Sequence, residues 1–326
     1  MRKIAFILGL LILAGIPVMS VCGERDKAKG RGHAREVYGV ALSAGKRLAT
    51  ASGTTALLWD TTSGKALQAF EGHAQCVFRV ALSADGARLL TASHDHTAVL
   101  WNTATGKKLQ TFRGHTAEVS SVALSQDGKH VFTGSWDDTA ILWEAATGRT
   151  LQTFKGHKGI VTSVAFSADG KHVVTGSVDK TAALWEAASG KKVQTFSGHK
   201  GLVFSVVLSA DGKRLATGSE DRTAIVWDVA TGAQRHVLAG RHSGGVLSVA
   251  LSGDGKRLLT GSEDKTAILW DAESGKALQT FRGHRDQVSD VALSATSDRV
   301  ATASHDKTAI LWDAATGERL RIFPAD

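Results

Sequence analysis

The sequence predicts an all-β protein built from seven copies of one short unit, and three observations lead to this prediction. A tryptophan followed by Asp, Asn or Glu recurs every 42 residues, with one interval of 43. A histidine lies 28 residues before the tryptophan in six copies and 26 residues before it in the first. Short apolar stretches, separated by Gly- and Asp-containing turns, lie between them and are typical of strands. The seven tryptophans are Trp59, Trp101, Trp143, Trp185, Trp227, Trp270 and Trp312.

The third copy contains the elements of the unit in order. "VSSVALS" (119–125) and "HVFTGS" (130–135) flank an Asp-Gly turn, which favours a tight hairpin. "TAILWE" (139–144) predicts a third strand, and "TLQTF" (150–154) predicts a fourth. Four short strands in about 42 residues form one blade of a propeller. Seven copies therefore predict a seven-bladed β-propeller with four antiparallel strands in each blade.

The chain resembles the WD-repeat (WD40) family of β-propellers, because a histidine and a Trp-Asp type pair alternate at a fixed interval over residues 32–323. The histidine follows glycine in six copies, and Arg241 precedes His242 in the remaining one. The resemblance implies a non-enzymatic scaffold that binds a protein or peptide through the top face of the propeller. It also implies that residues 32–323 form one domain.

The resemblance further implies a hydrogen-bonded set in each blade, made of the histidine, a Ser or Thr, an Asp and the tryptophan. In the third copy the hydroxyl belongs to Thr133 or Ser135. Ser, His and Asp together also suggest a catalytic triad, but a nucleophile does not need a copy in nearly every blade, so a structural role is expected. The expected network residues are His73, Asp95, His115, Asp137, Trp143, His157, Asp179, Trp185, His199, Asp221, Trp227, Asp264, His284 and Asp306.

The first copy departs from this pattern. "TASGTTALLWD" (50–60) has lost the Asp and one residue of length, and "SAGKRL" (43–48) has lost the Asp of the hairpin. We therefore expect His33 to lack its carboxylate partner, in a blade that lies where the ring closes. A terminal repeat is often atypical because it has a different neighbour.

Ring closure is expected without strand exchange from the N-terminus. "AATGERLRIF" (314–323) matches "AATGRTLQTF" (145–154) position by position, so the seventh copy carries its own outer strand. "GERDKAKGRG" (23–32) is too polar and Gly-rich for a strand. We expect the junction between the first and seventh blades to be the weakest of the ring.

Function is expected at positions that vary among copies. By resemblance, the residues three and five after each histidine, and the residue before each turn Asp, lie around the top rim and central opening. Aromatic and Arg side chains there are typical binding anchors, although they can also merely fill the channel mouth. The expected partner-binding residues are Tyr38, Phe78, Arg79, His94, Trp136, Phe204 and His305, with Leu247 beside them.

Other functional classes find little support in the sequence. The net charge is +8, but Lys and Arg are spread evenly and no nucleic-acid motif appears, so we expect a protein or peptide partner and no nucleic acid. No phosphate loop, nucleophile elbow or metal-ligand spacing is present, so no cofactor, metal or enzymatic activity is expected. The alternative is a propeller that senses a small molecule or glycan, or assists an enzyme, through its channel, with His94 and His305 as candidate ligands. A monomer is expected.

The N-terminus predicts export. Met1-Arg2-Lys3 is followed by the apolar run "IAFILGLLILAGIPV" (4–18) and then by small residues, which is the layout of a secretory signal peptide. Residues 1–22 are thus expected to be a signal peptide or a retained membrane anchor, and 23–31 a linker. Cys22 also raises a lipoprotein interpretation, against which Val21 stands directly before it. A periplasmic or extracellular location is expected, with membrane contact only through this segment if it is retained.

Overall fold

The fold is a seven-bladed β-propeller, as the repeat predicts. The computed structural model describes residues 33, 35–44 and 46–324, and the elements in this part of the chain are all strands. They form seven four-stranded antiparallel sheets, and in each sheet the spatial order of the strands is their order in the sequence. The described residues contain no helix able to span a membrane.

Each blade comprises an inner strand, two middle strands and an outer strand. The bounds are β1 (Val37–Leu42), β2 (Arg47–Ser52), β3 (Thr55–Asp60) and β4 (Ala66–Glu71) in blade 1; β5 (Val77–Leu82), β6 (Arg88–Ser93), β7 (Thr97–Asn102) and β8 (Lys108–Arg113) in blade 2; β9 (Val119–Leu124), β10 (His130–Ser135), β11 (Thr139–Glu144) and β12 (Thr150–Lys155) in blade 3; β13 (Val161–Phe166), β14 (His172–Ser177), β15 (Thr181–Glu186) and β16 (Lys192–Ser197) in blade 4; β17 (Val203–Leu208), β18 (Arg214–Ser219), β19 (Ala224–Asp228) and β20 (Gln234–Leu238) in blade 5; β21 (Val246–Leu251), β22 (Arg257–Ser262), β23 (Thr266–Asp271) and β24 (Ala277–Arg282) in blade 6; and β25 (Val288–Leu293), β26 (Arg299–Ser304), β27 (Ala309–Asp313) and β28 (Arg319–Phe323) in blade 7.

The hydrophobic core lies between neighbouring blades. The middle strands are buried on both faces, which explains why their sequences are nearly continuous apolar runs. At the junction of blades 2 and 3, for example, Leu100 and Phe112 of one blade pack with Val131 and Trp143 of the next. Each blade therefore buries its apolar surface only by contact with the next one, and the ring is stable as a closed unit.

Among residues 33, 35–44 and 46–324 no strand is exchanged between blades, and the ring closes as the sequence predicts. Strand β28 pairs with β27 and completes blade 7 from within its own repeat. Trp59 of blade 1 packs against Leu311 and Phe323 of blade 7 in the same kind of apolar cluster that joins the other blades. The expectation that residues 23–32 form no strand lies outside the described residues.

Every inner strand carries a β-bulge at its second residue. In blade 3, Val119 pairs with Ser135 and Ser121 pairs with Gly134, which leaves Ser120 unpaired. A bulge redirects the side chain of its extra residue. The bulge residues coincide with the variable positions five after each histidine: Tyr38, Phe78, Ser120, Thr162, Phe204, Leu247 and Ser289.

Candidate functional site

A hydrogen-bonded set in each blade fixes the loops of one face, which we call the top face. It carries the loop before each inner strand and the turn between the two middle strands. In blade 3, Nε2 of His115 lies 2.7 Å from Thr133 Oγ1, and the indole N–H of Trp143 donates to the same oxygen at 2.9 Å. His115 Nδ1 lies 2.9 Å from an oxygen of Asp137. The hydroxyl is thus that of Thr133, while Ser135 accepts the Asp137 N–H and donates to a carbonyl.

The same geometry recurs in blades 2 and 4 to 7, including blade 6, where Arg241 precedes the histidine. The His–Asp distance is 2.8–3.0 Å in these blades. Each carboxylate also accepts the N–H of the residue after the histidine. The sets are His73–Thr91–Asp95–Trp101, His157–Thr175–Asp179–Trp185, His199–Thr217–Asp221–Trp227, His242–Thr260–Asp264–Trp270 and His284–Thr302–Asp306–Trp312.

The carboxylates of these sets are held in the charged form. Burial by itself would raise the pKa of Asp137, but hydrogen bonds from His115, Thr139 and the Thr116 N–H outweigh it, and the pKa falls well below its usual range. The pKa of the equivalent Asp in the other five sets is lowered for the same reasons. All their polar groups are occupied in holding loops together, so these sets position the top face.

Blade 1 lacks this arrangement, as its shortened sequence predicts. Trp59 still donates to Thr50, at 2.8 Å, and the His33 ring packs against the Trp59 ring with 5.4 Å between centroids. Both ring nitrogens of His33 are buried and find no hydrogen-bond partner in the described part of the chain. Burial lowers the pKa of His33 to about 4.

The top face surrounds the mouth of the central channel, a cavity of about 180 Å³. All seven bulge residues line it, so the redirected side chains converge at one place. Because they come from seven blades, each blade contributes one independently variable side chain. The rest of the lining is formed by Arg79, Trp136, Ile160, Val178, Gln287 and His305.

The structure brings the expected binding residues together. Six of the seven line the cavity, and His94 lies behind them, with its ring 3.8 Å from that of Phe78 and 5.7 Å from that of Trp136. Tyr38 and Phe78 are buried and form the wall, whereas Trp136 and Phe204 are half-buried. Six further lining residues at the same variable positions were not predicted, because aromatic and arginine side chains were taken as the binding anchors: Ser120, Ile160, Thr162, Val178, Gln287 and Ser289.

Burial favours the neutral form of the two histidines at the mouth. Burial lowers the pKa of His94 to about 4, with His96 adding to this effect and Asp95 opposing it. Burial also lowers the pKa of His305, although the negative charges of Asp286, Glu36 and Asp306 oppose this effect. Each is packed against aromatic rings, His94 against Phe78 and His305 against Tyr38 at 5.2 Å. In the described part of the chain no group of three or more possible metal ligands occurs.

Arg79 forms an ion pair between two inner strands. Its guanidinium contacts the carboxylate of Asp290, so it joins blade 2 to blade 7 past blade 1. Asp290 also accepts the Val40 N–H at 2.9 Å and the Ser248 hydroxyl at 2.7 Å. Gly39 allows β1 to approach β5 closely, because a Cβ there would lie 2.8 Å from the carbonyl oxygen of Phe78 and 3.2 Å from Arg79 Cα. Arg79 is therefore a part of the channel wall whose charge is already balanced.

Side chains at the third position of the inner strands link neighbouring blades. Serine at this position accepts the N–H of a valine in the next blade at 3.1–3.3 Å, and Asp290 does so at the closing junction. The bulge hydroxyl of Ser289 also donates to Val37 O, at 2.6 Å. At the junctions of blades 1 and 2 and of blades 2 and 3, Gly39 and Arg79 stand in place of the serine. These two junctions therefore lack the hydrogen bond that the third residue of the inner strand makes at the other junctions, including the closing one.

The family model described as "WD domain, G-beta repeat" matches more than half of the chain, in six segments: 64–102, 106–144, 148–186, 190–228, 232–271 and 275–313. The chain belongs to the WD40 family. Each matched segment spans the outer strand of one blade and the first three strands of the next, so a WD40 repeat contributes to two blades. Strands β1 to β3 lie outside the matched segments, where the first repeat is shortened. WD40 propellers are typically protein-interaction scaffolds. No curated protein sequence matches the chain.

Proposed function

We propose that this WD40 propeller is a non-enzymatic scaffold that binds a protein or peptide at the channel mouth of its top face. The observation that carries the proposal is the convergence of seven variable bulge residues on one cavity, with Trp136 and Phe204 half-exposed there. The seven tryptophans of the repeat are buried at 1–3% exposure, so Trp136 stands apart. A half-exposed aromatic in a concave site is a typical anchor for a partner.

The size and chemistry of the mouth support a side chain of a partner over a free small molecule. The cavity of about 180 Å³ is smaller than the roughly 300 Å³ at the lower end of small-molecule pockets. His94 and His305, the candidates for a ligand-sensing role, are packed against different aromatic rings. The Thr-His-Asp sets are engaged in holding loops, which supports a role without catalysis.

Substitution at the mouth tests this proposal. The double variant Trp136→Ala and Phe204→Ala is expected to lose partners that the wild-type protein recovers from native extract, measured by quantitative mass spectrometry. The matched control is Leu109→Ala with Leu278→Ala, which removes two exposed apolar side chains from outer strands. Equal recovery by all three folded proteins would rule out the mouth as the binding site.

We also propose that the protein is exported, and that its partner is therefore periplasmic or extracellular. The basic start and apolar run of residues 1–22 support this, and these residues lie outside the described part of the chain. Cell fractionation and the mass of the mature N-terminus test it. An intact Met1 on a cytoplasmic protein would contradict it, whereas an intact Met1 in the membrane fraction would indicate a retained anchor.

A further inference from the structure

Four glutamates belong to the loops around the channel mouth, and none of them has a basic partner among the residues that the structure describes. Glu36, Glu118, Glu220 and Glu263 occupy the position three after the histidine or the position before the turn Asp. In other blades the same two positions are held by residues that line the cavity, such as Ile160 and Trp136. The quasi-symmetry of the propeller therefore places the four glutamates around the mouth, outside the residues that line the cavity itself.

Individual contacts agree with this placement. The Tyr38 hydroxyl donates to Glu36 at 3.4 Å, and Glu36 lies close enough to His305 to oppose the lowering of its pKa. Glu263 accepts the Gly245 N–H at 2.9 Å, and a Cβ on Gly245 would lie 3.4 Å from Glu220 Cα. Glu220 and Glu263 thus flank one glycine beside the mouth.

The rim differs from the opposite face of the propeller in its charge balance. Among the described residues, none of the four rim glutamates takes part in an ion pair, and all four are partly exposed. Carboxylates of the opposite face do pair with basic residues, for example Glu144 with Arg149 and Glu273 with Arg214. Arg79 is the cation that lines the cavity, and Asp290 balances it.

Cations lie farther out on the same face. They occupy the position after the histidine or the position after the turn Asp, just before the third strand, and all are exposed. Since the third strand lies outside the second, these side chains surround the acidic rim at a larger radius. They would repel a strongly basic partner, so the charge pattern favours one cation flanked by neutral or acidic residues. These residues are Lys158, Lys180, Lys200, Arg222, Lys265, Arg285 and Lys307.

We infer that the mouth takes a single Lys or Arg side chain of a partner protein, presented by a segment that is otherwise neutral or acidic. This rests on the proposed function and specifies the chemistry of the partner. The apolar stem of the side chain would pack against Phe204 and Trp136, and its cationic end would lie among aromatic faces and the rim carboxylates. The occupant is cationic although the protein itself carries a net charge of +8.

The test uses synthetic peptides and the fluorescence of Trp136, the partly exposed tryptophan. The probe is Ac-Gly-Ser-Ala-Arg-Ala-Ser-Gly-NH2, and matched peptides carry norleucine or Glu in place of Arg. The Arg peptide is expected to change the emission of the wild-type protein, to bind ~10-fold more tightly than the norleucine peptide and to weaken with added salt. The change is expected to be absent in Trp136→Phe.

A charge-matched pair of protein variants separates the rim from the net charge. Glu36→Gln, Glu118→Gln, Glu220→Gln and Glu263→Gln together keep the backbone hydrogen-bond acceptors and are expected to lower affinity for the Arg peptide by ~10-fold or more. The control carries Glu144→Gln, Glu186→Gln, Glu273→Gln and Glu318→Gln on the opposite face and is expected to retain binding. Thermal unfolding of both variants confirms that each is folded.

Several outcomes would overturn the inference. They are an equal loss in both variants, tighter binding of the norleucine or Glu peptide, no response to the Arg peptide, and spermidine binding as tightly as the Arg peptide. Binding of the norleucine peptide at Trp136 would leave the proposed scaffold function standing while removing the cationic specificity. Loss of partners in the Trp136/Phe204 variant is measured independently of these peptides.

Discussion

The same substitution in two blades should change stability in opposite directions. His33→Phe replaces an imidazole whose two nitrogens are buried without partners, and Phe keeps a planar ring against Trp59. His115→Phe removes a ring that holds Thr133 and Asp137 through both nitrogens. We expect the first variant to be more stable than the wild-type protein and the second to be less stable.

The magnitudes follow from the number of unpaired groups. A buried polar group without a partner costs about 1–3 kcal/mol, so removing the donor and the acceptor of His33 should stabilise the fold by about 2 kcal/mol. His115→Phe leaves the Asp137 carboxylate without its main partner and should cost at least about 2 kcal/mol. In a chain of this size 1 kcal/mol corresponds to about 2 °C in Tm, so the two variants should differ by about 8 °C.

The pH dependence gives an independent measure. Since the pKa of His33 is lowered from 6.5 to about 4, its neutral form is favoured by the fold. The associated stability is complete above pH 6.5 and is lost as the pH falls toward 4, by up to about 3 kcal/mol. The lowered pKa of the network Asp residues acts only below about pH 4, where the unfolded chain takes up protons. His33→Phe should therefore flatten the decline between pH 6.5 and 4, and His94 and His305 should account for the decline that remains.

Differential scanning fluorimetry of the three proteins at intervals from pH 7.5 to pH 4 measures both effects. Circular dichroism before heating checks that each variant contains native β-structure. If His33→Phe lowers Tm at pH 7 as much as His115→Phe does, His33 has partners in solution. The assignment of blade 1 as an incomplete network would then be wrong.

Three further predictions concern the blade network and the junctions. Thr133→Val leaves both His115 and Trp143 without their shared partner, and we expect it to lower the free energy of unfolding in urea by about 2–4 kcal/mol. Thr50→Val removes a partner only from Trp59 and should cost about 1–2 kcal/mol. Equal losses would contradict the idea that the cost follows the number of groups left unpaired. Arg79→Met should cost about 2–3 kcal/mol in the wild-type protein but less than about 1 kcal/mol in an Asp290→Ser background, and additive effects would argue against a coupled pair. Gly39→Ala should lower stability by about 1–3 kcal/mol, because its Cβ would overlap the neighbouring backbone; an unchanged Tm would mean that blades 1 and 2 separate without cost.

The fold could be predicted from the sequence because the pattern of one four-stranded unit recurs seven times. The strand boundaries predicted in the third copy agree with β9 to β12. Periodicity, turn residues and length all indicate the same unit, and such agreement between local signals makes the assignment secure. The choice between Thr133 and Ser135 could not be made from spacing, because it depends on which hydroxyl faces the tryptophan across the middle strands.

The candidate site was predicted in part. Comparing the seven copies identified the variable positions, and the structure gathers them around one cavity. The copies did not indicate that the residue five after the histidine is the extra residue of a bulge, since a bulge exists only relative to the paired strand. Comparison of the copies also did not indicate that Arg79 forms an ion pair, since its partner Asp290 lies 211 positions later in the chain.

The sequence by itself determined the number of blades, the four-stranded unit, closure without strand exchange and the missing carboxylate of blade 1. These features depend on contacts within one repeat or on comparison of repeats. Only the tertiary structure decided how the first and last blades are linked. Asp290, Arg79 and Gly39 come together on the inner strands of blades 7, 2 and 1 because closing the ring brings together residues that are distant in the sequence. The balance of charge at the mouth was also decided there, because whether a glutamate is paired depends on which blades meet around it.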